Sequence, residues 1–155
     1  LAVLHGNEII YVIEERAAHR PPLVSGVGVR LPSHLTATGR AILSALPRNQ
    51  VRALYPNRQA FTDRTGIGPK SPKELEATLA ETQRTGFAEE HGDVTPGFDS
   101  YAVAVRDYND FPIAGLALTF VSGSLRPEQE RSLKTKLRLA GTELSRRLGA
   151  VGSLT

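Results

Sequence analysis

Four histidines, His5, His19, His34 and His91, are the side chains best able to move protons or hold a metal. Their spacing suits neither job. No HxxxH or HExxH pair sets two imidazoles on one helical face, and no Ser stands in a glycine-framed elbow. Cys is absent, which removes thiolate nucleophiles, thiolate metal ligands and disulfides together. His91-Gly92-Asp93, with Glu89 and Glu90 beside it, has the donor types of a small metal site. The same grouping is common in hydrated surface loops, and a solvated turn is the expectation here. Gly26-Val27-Gly28 lacks the third glycine and the following helix of a dinucleotide loop. Gly66-Ile67-Gly68-Pro69-Lys70-Ser71 lacks the gap and the preceding strand of a phosphate loop. No nucleophile–base–orienter set emerges, so no catalytic residue, metal or cofactor is expected.

Two polar segments lie beside expected sheet rather than on plain surface. In Pro32-Ser33-His34-Leu35-Thr36-Ala37-Thr38-Gly39-Arg40-Ala41 a loop enters a helix through Ser, Thr and Gly. Free N–H groups at a helix start bind carboxylate or phosphate, aided by the helix dipole, and Thr36 and Thr38 add hydroxyl donors. The plainer role for the same residues is capping by Ser33 or Thr36, with Gly39 permitting tight packing. The second segment runs from Glu90 to Ser100, where Pro96-Gly97-Phe98 turns into a strand. Ser100 and Thr119 are expected on neighbouring strands. Small hydroxyls over an apolar sheet suit a pocket for a small organic acid or aromatic ligand. The plainer reading satisfies those hydroxyls with backbone or water.

The elements that must hold these segments can be read in order. With 155 residues, 40% hydrophobic and 23% charged, the chain has the size and composition of one folded domain. Residues 1–5 and 9–16 read as a hairpin around Gly6-Asn7. Leu23, Val24, Val27, Val29 and Leu31 form one short strand in a Pro/Gly-rich stretch. Helices are expected over 34–46 and 48–55, then a long polar loop over 56–70. Ser71-Pro72-Lys73-Glu74 is a capped helix start, and Gly86 ends that helix. Strands follow at 87–90, 98–106 and 111–121, the last two joined at Asn109-Asp110. In the last strand Leu116, Leu118 and Phe120 alternate with Gly115, Ala117 and Thr119, so one face is bulky and the other small. A helix from Pro127 to about Leu148 carries Leu133, Leu137, Ala140, Leu144 and Leu148 on one stripe. The fold class is α+β: an antiparallel sheet of five or six strands flanked by four helices.

The net charge of +3 is too modest and too dispersed for a nucleic-acid footprint, and the basic run from Arg131 to Arg147 reads as a solvated helix face. No apolar run is long enough to cross a bilayer, and no signal peptide is seen. Met is absent and Leu1 already reads as strand interior, so the chain is expected to be a piece of a longer protein.

The stretch Gly26-x-Gly28-x-Arg30-Leu31-Pro32-x-His34-x-Thr36-Ala37-x-Gly39-Arg40-Ala41, continuing to Pro47, resembles the signature of the IclR family of bacterial transcriptional regulators. Leu75-x3-Leu79, Thr85-Gly86-Phe87-Ala88, Gly97-Phe98-x3-Ala102-x2-Val105 and Pro112-Ile113-Ala114-Gly115-Leu116 continue the match in order. The resemblance implies a C-terminal effector-binding domain with a GAF-like fold over residues 1–149, a tail over 150–155, and a winged helix-turn-helix absent from this chain. It implies a small-molecule effector, promoter DNA bound through that missing domain, a homo-dimer or tetramer, and a cytoplasmic protein with no membrane contact. By position it places Leu31, Ala37, Thr38, Glu90, Phe98, Ser100, Ala117 and Thr119 around the effector.

Three departures bear on that ligand. Family members often carry Pro at the Ala104 position, Ser at Ala117 and Ser-Gly at Thr119-Phe120. Without the Ala117 hydroxyl, and with the bulk of Phe98, the effector is expected to be more apolar or aromatic than a small keto acid. Its carboxylate would be held by Thr38 and nearby N–H groups. Two other readings compete: a small enzyme acting on an organic acid, with Glu90 or His91 as general base, and a purely structural oligomerisation domain.

Overall fold

The computed structural model describes residues 1–18, 23 and 26–151. His19, Pro21, Pro22, Val24 and the end of the expected tail lie outside them. The hairpin predicted around Gly6-Asn7 is present: β1 (Ala2–His5) pairs antiparallel with β2 (Glu8–Tyr11), from Ala2↔Tyr11 to His5↔Glu8. β2 stops short of residue 16 because the Val12 and Ile13 N–H groups both converge on the Leu1 carbonyl, which ends the ladder. β3 (Arg30–Pro32) joins the other edge of β2 with Leu31 opposite Ile9.

α1 (Ala37–Ala45) and α2 (Arg48–Leu54) are separated by Leu46-Pro47. A short 3₁₀ turn at Arg58–Ala60 interrupts the long loop. α3 (Pro72–Thr85) starts as its sequence dictates, with Ser71 Oγ accepting from the Glu74 N–H at 3.3 Å, and it ends at Gly86. β4 (Ala88–His91), β5 (Phe98–Arg106), β6 (Pro112–Val121) and α4 (Pro127–Arg147) complete the described elements.

The sheet has six antiparallel strands in the order β3-β2-β1-β6-β5-β4. The alternation in β6 assigns its two faces. Leu116, Leu118 and Phe120 pack with Phe87, Tyr101, Val103 and Leu137 under α4. The small face meets α1, where Ala37 and Ala41 lie on Ala88, Ala102 and Ala117. Gly115 lets α1 come this close: a Cβ there would stand 2.6 Å from Thr38 Cγ2 and 2.8 Å from the Thr38 carbonyl oxygen. Ile42, on the same helix, closes a second cluster with Ala2, Ile9 and Leu31.

The α4 stripe differs from the predicted one at two positions, one of them Leu148, which lies just past the helix end and is exposed. Ala140 is exposed, and Gly141 takes its place against the sheet, where an added Cβ would meet Val103 Cγ2 at 2.5 Å. The helix rides on its backbone there. Its basic residues are largely paired at the surface: Arg146 and Arg147 both reach Glu143 (2.8 and 2.7 Å), and Lys134 bridges Glu89 and Glu130 (2.8 and 2.9 Å).

Candidate ligand-binding cavity

Residues 34–36, expected within the first helix, form a turn before it. Thr36 is the cap: its Oγ1 accepts from the Gly39 N–H at 3.0 Å. Gly39 is required for packing, since a Cβ there would stand 2.1 Å from the Ser33 carbonyl oxygen. Ser33 belongs to a different network. Its hydroxyl lies 2.6 Å from Tyr55 Oη, and both hydroxyls reach the Asn7 carbonyl at 2.9 Å. His34 Nδ1 faces Tyr55 Oη at 3.3 Å, while Nε2 lies 2.9 Å from the Thr62 carbonyl, which can only accept. The neutral ring therefore carries its proton on Nε2. Burial lowers its pKa further, the Thr62 bond opposing.

That leaves Thr38. Its hydroxyl has no hydrogen-bond partner among the described residues, and it lines a cavity of about 260 Å³ with Phe98, Ala117, Thr119 and Tyr11. A smaller adjoining space of about 30 Å³ is lined by Leu31, Ala37, Glu90, Phe98 and Thr119, among others including Tyr11, Val94 and the Thr36 cap. Seven of the eight residues singled out by position thus border one continuous region between α1, β6 and the 91–98 turn. Ser100 sits behind it: Ser100 and Thr119 are paired in register, and their hydroxyls bond each other at 2.9 Å. Tyr11 and Val94 went unnoticed in the sequence because each looks like an ordinary strand or core residue.

Glu14, Glu15 and Arg16 line the larger space, and the buried acid of the smaller one is Glu90. It is 4% exposed and its Oε1 accepts from the Val94 N–H at 3.1 Å. Burial raises its pKa against that bond, favouring the neutral form. Tyr11 is pushed up to about 12 by burial, then by the charges of Glu90 and Glu14. Glu90 and His91 do not form a joint catalytic pair. Adjacent strand residues point to opposite faces, and His91 lies on the other side with Tyr101, between Glu89 (3.3 Å) and Asp99 (3.4 Å).

The 89–93 segment is not the solvated turn that the sequence suggests. Asp93 is 4% exposed and forms a buried ion pair with Arg40, itself 5% exposed. Arg40 also donates to the carbonyls of His34 and Glu89, both at 2.8 Å, and Asp93 Oδ1 accepts from the His91 N–H at 3.2 Å. One guanidinium thus ties the entry of α1 to β4 and to the turn carrying Val94. A sequence pattern has no local signal for a pair separated by 53 residues. Among the described residues no group of three or more His, Cys, Asp or Glu is placed to hold a metal ion, and no helix is long and apolar enough to cross a membrane.

An antiparallel sheet carrying a helix on its small face, with a cavity at that helix's first turn, defines an α+β domain with a candidate ligand cavity. The profile of the family described as bacterial transcriptional regulator IclR C-terminal matches residues 1–146, and the chain belongs to that family. It is 29% identical over 149 residues to the HTH-type transcriptional regulator XynR of Escherichia coli, covering 96% of this chain and 59% of that protein. It is 30% identical over 156 residues to the glycerol operon regulatory protein of Streptomyces coelicolor, covering 97% of this chain and 59% of that one. The crystal structure of the Agobacterium tumefaciens repressor BlcR superposes with a TM-score of 0.87 at 29% identity, over 97% of this chain and 59% of that one. The chain therefore spans about three-fifths of the length of these relatives. The relatives are regulators of transcription rather than enzymes.

Proposed function

We propose that residues 1–149 sense a small effector on behalf of a longer IclR-type regulator, whose promoter-DNA contact lies in a winged helix-turn-helix outside this chain. The regulator works in the cytoplasm as a homo-dimer or tetramer, and effector binding shifts the balance between two arrangements with different DNA affinity. The effector is an organic acid with an apolar or aromatic body. The body lies against Leu31, Ala37, Phe98 and Ala117. The carboxylate sits at the first turn of α1, on the Thr38 hydroxyl and the N–H groups of Ala37 and Thr38, which face no intrahelical acceptor. Burial shifts Glu90 towards its neutral form, which lessens its repulsion of that carboxylate.

The observation that most supports this reading is the Thr38 hydroxyl, which lines a cavity of about 260 Å³ with no partner among the described residues. The test is a calorimetric and thermal-shift screen of aromatic and short aliphatic acids. Aromatic acids should raise the melting temperature, and Thr38→Val or Ser100→Leu should abolish the rise while the apo domain stays folded. Tight binding of glyoxylate or pyruvate with none by aromatic acids would overturn the ligand class. No shift with any acid would favour a purely structural domain.

A further inference from the structure

A second hollow lies away from this cavity, between α2 and α3. Its volume is about 200 Å³. The floor is apolar and continuous with the core: Leu43, Tyr55 and Leu75 are at most 1% exposed, with Leu46 and Leu79 beside them. Ala80 supplies a wall too short to fill it. The rim is cationic. Arg48, Arg52 and Lys73 surround it, and the only acid there is Glu76. Glu76 stands 3.8 Å from Arg48 with both side chains largely in water, a weak pair. Arg52 and Lys73 have no ion-pair partner among the described residues. Lys73 also sits in the first turn of α3, where the helix dipole adds to the positive field.

We propose that this hollow is a binding site for a short amphipathic anion, a carboxylate on a chain or ring of about benzene size. An apolar cavity of about 150 Å³ accepts benzene, so the body fits the floor and the carboxylate reaches the Arg48–Arg52–Lys73 rim. A volume of about 200 Å³ is that of a small molecule rather than of a partner's helix. The net positive rim disfavours amines and adds no charge attraction for a neutral body. The site is independent of the effector cavity and stands or falls apart from it.

The probe is hexanoate, compared with hexylammonium and 1-hexanol, followed by methyl NMR of the 155-residue domain. Hexanoate should shift the methyls of Leu46, Val51 and Leu79 in a saturable way. Arg48→Glu/Arg52→Glu, at exposed positions, should weaken it about tenfold, the scale of one or two charge-assisted contacts. Ala80→Trp should block the shifts by filling the hollow. Hexylammonium should produce none at these methyls. The proposal is overturned if the shifts are confined to Leu31 and Ala117 around the first cavity, if hexylammonium binds equally, or if no saturable shift appears.

Discussion

Arg40 and Asp93 offer the sharpest test of how this domain is held together. Arg40→Met keeps the aliphatic stem and removes the charge. It leaves the Asp93 carboxylate, 4% exposed, without its counter-ion, and the carbonyls of His34 and Glu89 without a donor. Breaking a buried pair from one side costs about 3–5 kcal/mol. Each orphaned carbonyl that water cannot reach adds about 1–3 kcal/mol. Since a domain of this kind is stable by about 5–15 kcal/mol in total, Arg40→Met should bring it close to the unfolding threshold at pH 7. Asp93→Leu should cost a comparable amount by stranding the guanidinium. The double change removes both charges, so its loss should fall short of the sum by at least ~2 kcal/mol. Urea denaturation followed by far-UV circular dichroism measures all four proteins, the chain having no Trp to report by fluorescence. If each single change costs under ~1 kcal/mol and the two simply add, the pair behaves as a solvated surface contact and the clamp is refuted.

Gly115→Ala forces a methyl to within 2.6 Å of Thr38 Cγ2 and should cost about 1–3 kcal/mol in a urea series while weakening any ligand-induced thermal shift. Thr36→Ala removes the cap of α1 and should cost ~1 kcal/mol by the same measurement. His34 is buried with a lowered pKa, so the unfolded chain takes up a proton that the folded domain refuses. Its contribution is fully present above the unfolded value of about 6.5 and is lost as pH falls towards the lowered folded value. The urea midpoint of the native domain should therefore drop relative to His34→Gln across that window. A constant difference would show that the imidazole is not held neutral.

Much of the architecture is local and so was legible. The Gly6-Asn7 hairpin, the Ser71 cap and the β6 alternation each rest on residues a few positions apart; which helix covers which face of β6 came only with the fold. What escaped depends on distance along the chain. Asp93 looks like a hydrated turn residue until Arg40 is folded against it. His34 looks idle until Tyr55 arrives. Ala140 fits the helical stripe, but the crossing of α4 over Val103 requires the smaller Gly141 one position on. For the candidate cavity, physics alone singled out the α1 entry and the Glu90–Ser100 segment. Their convergence with Leu31 and Ala117 was implied by family resemblance, while Tyr11 carried no distinguishing mark.

The strand order has a consequence for how the chain reaches this state. β3, β2 and β1 form one set of neighbours and β6, β5 and β4 another, and the two meet along a seam marked by Ala2↔Gly115, partners more than a hundred residues apart. Within each set pairing is local and fast to form; the seam carries most of the loop-closure cost. During synthesis the first hairpin must wait with an open edge on β1 until β6 emerges. α1 waits too, because its small-residue bed lies on strands made later. On this strand order, the species expected to be most exposed to aggregation is a half-sheet with a bare inner edge.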